Sequence, residues 1–149
     1  MTGLFIIAHA PLASALRAAA AHVFPDAAST IATYDVPPGV RAEDYEAEAA
    51  ALLQGLGQAE TLILTDVFGA TPCNIARRLA DRPGVRVLAG VNVPMVWRAL
   101  HYRDKPLDDL LALAQAGASQ GVMLVACFPP QTQAIQPDSH DSIDRHHQQ

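Results

Sequence analysis

Short apolar runs alternate with alanine- and leucine-rich stretches along most of the chain, and that alternation is its tightest structural constraint. Leu4–Ala8 is apolar without a break, the pattern of a strand buried on both faces. Pro11 opens an Ala/Leu-rich segment to about Val23, a helix by propensity, and Pro25 closes it. Thr30–Tyr34, β-branched and aromatic, predicts a second strand. After the Pro37-Pro38-Gly39 turn comes a helix over Glu43–Leu56, stopped by Gly57. Thr61–Thr65 predicts a third strand. Thr71 then stands as N-cap and Pro72 as first helical residue of a helix to about Asp81, closed by Pro83-Gly84. Val85–Ala89 is a fourth strand, Gly90–Pro94 a loop, and a short helix runs to about Tyr102. Pro106 opens a last helix to about Ala116, and Val122–Cys127 predicts a final strand. Alternating strands and helices make an α/β three-layer sandwich with a mostly parallel sheet. At 149 residues the expectation is one domain, 1–128, with the flavodoxin-like order 2-1-3-4.

Composition matters here mainly for what it excludes. A net charge of −5 is the wrong sign for nucleic-acid binding. The opening MTGLFIIAHAPL lacks a basic n-region, and no run reaches the roughly 18 apolar residues of a membrane span. The expected setting is therefore the cytoplasm, without direct membrane insertion. Cys73 and Cys127 have neither zinc spacing nor a neighbouring partner and read as buried thiols. The segment 129–149 is polar, Pro- and Gln-rich, and reads as a disordered tail; its His146-His147 pair is at most a loose metal ligand.

In an open α/β sheet, ligands sit at the carboxyl ends of strands near the point where strand order reverses. For order 2-1-3-4 that point lies between the first and third strands. His9 follows the first, and Asp66 follows the third. A carboxylate bound to one ring nitrogen sets the tautomer and leaves the other nitrogen's lone pair free to attack phosphorus. Thr71, at a helix start, adds a hydroxyl where free N–H groups favour phosphoryl oxygens. Taken singly, each has a plain structural reading: His9 as a polar rim residue, Asp66 as a loop cap, Thr71-Pro72 as an ordinary helix start. Their expected convergence favours a phosphohistidine site. His22 and His101 read as structural or solvated.

At these residues the chain resembles the mannose-family EIIA components of the bacterial phosphotransferase system (PTS). LFIIAHAPLASAL is similar to their opening, LTDVFGATPCNIARRLA to their second motif and VLAGVNVPMVWRAL to their third, in order and spacing, over about residues 3–125. Phe68, Ala70 and Cys73 depart from the best-known members, which carry Trp, Gly and often an aromatic there. The resemblance implies an additional antiparallel edge strand, Val122–Cys127, exchanged in a homodimer. It implies a phosphotransferase that carries a tele-phosphohistidine on His9, with Asp66 orienting the ring and Thr71 holding the phosphoryl group. Phosphate would come from the phosphocarrier HPr and go to an EIIB on a separate chain, serving sugar uptake through a membrane-associated permease complex. No cofactor and no metal are expected. Two related roles stay open: a regulatory phosphoprotein of an incomplete PTS, or a subunit like the dihydroxyacetone-kinase phosphotransferase. A flavodoxin-like binding module without phosphate chemistry is the third reading.

Overall fold

In the computed structural model, which describes residues 1–125, a parallel sheet of four strands runs in the order β2-β1-β3-β4. The strands are β1 (Gly3–His9), β2 (Ala32–Val36), β3 (Thr61–Thr65) and β4 (Val85–Ala89). The helices are α1 (Leu12–Ala21), α2 (Pro25–Ala28), α3 (Ala42–Gly55), α4 (Thr71–Leu79), α5 (Val93–His101) and α6 (Leu107–Gln120). The expected α/β sandwich and strand order are both present.

The unbroken apolar run of β1 has a direct cause. Leu4, Ile6 and Ala8 pack into one core with α1, α2, α5 and α6. Phe5 and Ile7 point the other way, into a second core with α3 and α4. A central strand covered on both faces has no solvent side on which a polar residue is tolerated. Each large side chain buried this way contributes about 1.5–3 kcal/mol.

Several boundaries differ from expectation. Pro25 does not simply close the first helix, which ends at Ala21; it starts the short turn α2. Strand β2 begins at Ala32, two residues later than Thr30, because Thr30 and Ile31 bond back to the end of α2. Helix α5 starts at Val93, inside the segment expected as a loop, since the Asn92 side chain caps it by accepting from the Met95 N–H at 2.9 Å. The same Asn92 side chain donates to the Ala118 carbonyl at 3.2 Å, fastening the loop to α6. Helix α6 continues to Gln120, beyond Ala116, because nothing in Gly117–Gln120 bars helical backbone and Gly117 lets α6 pass close to Arg98 of α5. Residues 122–125 form no strand with the other described residues. Ala126, Cys127 and the segment 129–149, with His146 and His147, lie outside the described residues.

Gly84 illustrates how tightly the far end of the sheet is built. Its φ is +76°, and a Cβ there would run into the Ala59 carbonyl oxygen, which is backbone and cannot rotate away. Left-handed backbone alone costs a non-glycine residue about 1–2 kcal/mol. Gly84→Ala is expected to lower the melting temperature by at least about 2–8 °C, measurable by calorimetry.

Candidate active site

The parallel register places Ile7 opposite Thr65. The next residues of β1 and of the β3–α4 loop therefore emerge side by side at the carboxyl edge, between the two strands from which the chain winds in opposite directions. His9 and Asp66 meet there. His9 Nδ1 lies 2.7 Å from Asp66 Oδ2. The same oxygen accepts the His9 backbone N–H at 2.9 Å, and Oδ1 accepts the Val67 N–H at 2.8 Å. The carboxylate thus grips both the ring and the backbone of the histidine. The Asp66 side chain is 8% exposed and that of His9 is 50% exposed.

Burial would raise the Asp66 pKa. The His9 backbone N–H, the His9 ring and the Val67 N–H more than offset it, and the net shift is downward. Asp66 therefore remains an anion and an acceptor at neutral pH, so Nδ1 is the nitrogen that donates to it, and in the neutral ring Nε2 carries the lone pair. Nε2 has no hydrogen-bond partner among the described residues. The loop is held from the far side too: the Asp66 carbonyl accepts the Gly90 N–H at 2.8 Å, and the Thr65 carbonyl accepts the Val91 N–H at 3.0 Å.

Two helices start beside the pair. At the start of α1, Asp35 Oδ1 of β2 accepts the Ser14 N–H at 3.1 Å, while among the described residues nothing accepts from the N–H groups of Leu12 and Ala13. Helix α4 is open at its start as well. Its N-cap is Ala70, without a side-chain acceptor. Thr71, expected as the cap, is instead the first helical residue, and Pro72 the second. The loop enters the helix through Gly69 at φ +83° and extended Ala70, which shifts the cap back by one residue. Among the described residues nothing accepts from the N–H groups of Thr71 and Cys73, and the Thr71 hydroxyl makes no hydrogen bond. The structure joins His9 to Asp66 directly; Thr71 lies five residues on along the loop and bonds to neither.

His22 caps the C-terminus of α1 and is exposed; His101 ends α5 and is exposed, edge-on to the Tyr102 ring at 4.6 Å. Cys73 is a buried free thiol. Among the described residues no three His, Cys, Asp or Glu side chains converge as metal ligands, and no helix is long and apolar enough to cross a membrane. Sequence reasoning passed over Asp35 and Asn92. Asn92 was legible as an Asn set before Pro94, a helix-start pattern. Asp35 left no local signal, because it caps a helix that precedes it by many residues.

Fold and site together define a doubly wound α/β domain that presents a carboxylate-oriented histidine on its switch-point edge. A sequence model described as PTS system fructose IIA component (EIIA-man) matches residues 3–114. The chain belongs to this EIIA-man family of phosphotransferase-system IIA components. It is 36% identical over 110 residues to the PTS system mannose-specific EIIAB component of Escherichia coli (strain K12); the match covers 69% of this chain and 33% of that protein. The chain thus spans about a third of the length of that relative. The mannose/sorbose specific IIA subunit of Enterococcus faecalis superposes with a TM-score of 0.78 at 25% identity, over 86% of this chain and 97% of that one. EIIA from Streptococcus agalactiae has the same fold, with a TM-score of 0.74 at 21% identity over 83% and 96% of the two chains.

Proposed function

We propose that this chain is a phosphoryl carrier for PTS-driven sugar uptake, taking phosphate on His9 from phospho-HPr and handing it to an EIIB domain. The observation that carries this reading is the bond from His9 Nδ1 to Asp66 Oδ2, which leaves Nε2 free on a half-exposed ring. Nε2 attacks phosphorus as the donor's N–P bond breaks, and the donor imidazole keeps the released electron pair. The ring then carries positive charge at Nδ1–H, which the Asp66 anion stabilises. In the second transfer the acceptor's nucleophile attacks phosphorus, the Nε2–P bond breaks, and its electron pair returns to Nε2.

The phosphoryl oxygens have a ready cradle. The open N–H groups of Thr71 and Cys73, at the positive end of the α4 dipole, are donors for them, beside those of Leu12 and Ala13 at the start of α1. The Thr71 hydroxyl is assigned to the same oxygens.

The test is labelling of the full chain with radioactive phosphoenolpyruvate, Enzyme I and HPr. Label that survives base, is lost in acid and maps to His9 is expected; no label under these conditions overturns the reading.

The proposed unit covers residues 1–128 and works in the cytoplasm as a homodimer. Val122, Met123, Leu124 and Val125 follow α6 with exposures of 73–93%, an unsatisfactory state for four consecutive apolar side chains. Strand β4 is an edge of the sheet, and an antiparallel strand from a second copy would pair with it and cover these residues. Sedimentation equilibrium is expected to show a dimer for the full chain and a monomer for a chain stopped at Gly121; identical masses per chain would refute the exchange.

A further inference from the structure

The reactive edge of this protein carries almost no charge. Four loops surround His9 at the carboxyl ends of the strands. Residues 10–16, 36–40, 67–76 and 88–97 hold no Asp, Glu, Lys or Arg, in a chain with a net charge of −5. The charged groups nearest the rim are already engaged. Asp66 is held beneath the imidazole. Asp35 is partly buried and bonded to the Ser14 N–H, and Arg41 is paired with Asp44. On this rim, next to Asp66 in sequence, stand two exposed apolar residues: Val67, 57% exposed, and Phe68, 80% exposed. A phenylalanine projecting this far beside a nucleophile is not explained by packing among the described residues.

The chemistry constrains what must cover it. A phosphoryl group moves to Nε2 only if the donor's own phosphohistidine comes within bonding distance, so the donor's surface necessarily closes over the residues flanking His9. We infer that Phe68 is the docking anchor for the phosphohistidine carrier that loads His9, and that this contact is apolar rather than electrostatic. This inference rests on the reading of His9 as phosphoryl acceptor. The matching surface is a hydrophobic recess close to the carrier's own histidine. Aromatic anchors seated in such recesses dominate the energetics of small interfaces, whereas complementary charges chiefly set association rate and its salt dependence. Phe68 touches none of the reacting atoms, so it acts on the encounter and leaves the chemical step alone.

The experiment compares two donors on the wild type and on Phe68→Ala. One is phospho-HPr. The other is phosphoramidate, which is too small to use a docking surface: Nε2 attacks its phosphorus, the P–N bond breaks, and the nitrogen leaves as ammonia. With phospho-HPr, Phe68→Ala is expected to raise KM about tenfold with kcat within about twofold. With phosphoramidate, the labelling rate of His9 is expected to be the same in both proteins. The wild-type KM for phospho-HPr is expected to change by less than about threefold between about 0.01 M and 1 M salt, where the screening length falls from about 30 to 3 Å. An unchanged KM in Phe68→Ala, or a steep salt dependence, overturns the docking inference while His9 labelling still stands. Failure of both donors to label His9 removes the phosphohistidine reading and this inference with it. A fall in phosphoramidate labelling in Phe68→Ala refutes the separation of docking from chemistry. Phe68 is so exposed that its loss leaves the cores untouched.

Discussion

Replacing His9 with alanine is expected to abolish phosphoryl uptake completely, with a far-UV spectrum like that of the wild type. The loss is total because no other described residue offers the same arrangement. Among the described residues, only His9 has a ring nitrogen bonded to a carboxylate. His22 and His101 are exposed at helix ends and have no such partner. The fold should survive, since the His9 side chain is half exposed and the strand it ends is anchored by Leu4–Ala8 in the two cores. The measurement is labelling followed by peptide mapping. Base-stable, acid-labile phosphate on any other histidine of the His9→Ala chain would overturn the assignment.

Asp66→Ala is expected to slow phosphorylation by about 10²-fold, because misplacement of a reacting group by about an ångström costs that much. Three interactions disappear together: the ring contact, the His9 backbone contact and the Val67 contact. Both tautomers of His9 then become populated, the ring turns freely, and the positive charge that forms on it loses its counter-ion. Stopped-flow transfer from phospho-HPr reads the effect; a rate equal to the wild type's would refute the orienting role.

The same substitution changes acid stability in a defined direction. The folded pKa of Asp66 is lowered, so its contribution to stability is fully present above the ordinary carboxylate value of about 3.9 and is lost as pH falls through the lower folded value. Wild type and Asp66→Ala should therefore differ in unfolding free energy at neutral pH and converge below the folded pKa. Denaturant titrations across that window provide the check.

Much of the site was readable before any coordinates, for a reason that can be named. A parallel strand reports its burial through a continuous apolar run, so β1 and β3 announce themselves as Leu4–Ala8 and Thr61–Thr65. Once two such strands are neighbours, the residues that follow them must share one edge, and His9 and Asp66 follow from position alone. The Thr71 cap was misread by one residue because Thr-Pro fits a helix start in two registers. The extended backbone at Ala70, set by the turn at Gly69, chose between them. The length of α6 and the exposed state of residues 122–125 had no local signal of comparable strength.

The amino-acid pattern alone therefore determined the elements and their layering and, given the strand order expected of a doubly wound sheet, the pair of residues at its carboxyl edge, because period and propensity are properties of neighbours along the chain. Tertiary structure decided the rest. It turned Nδ1 toward Asp66 and Nε2 outward, set Asp35 against the Ser14 N–H at the start of α1, and left Phe68 exposed close to the pair. Those outcomes depend on distances between residues far apart in sequence, which only the packing of the sheet and its helices specifies.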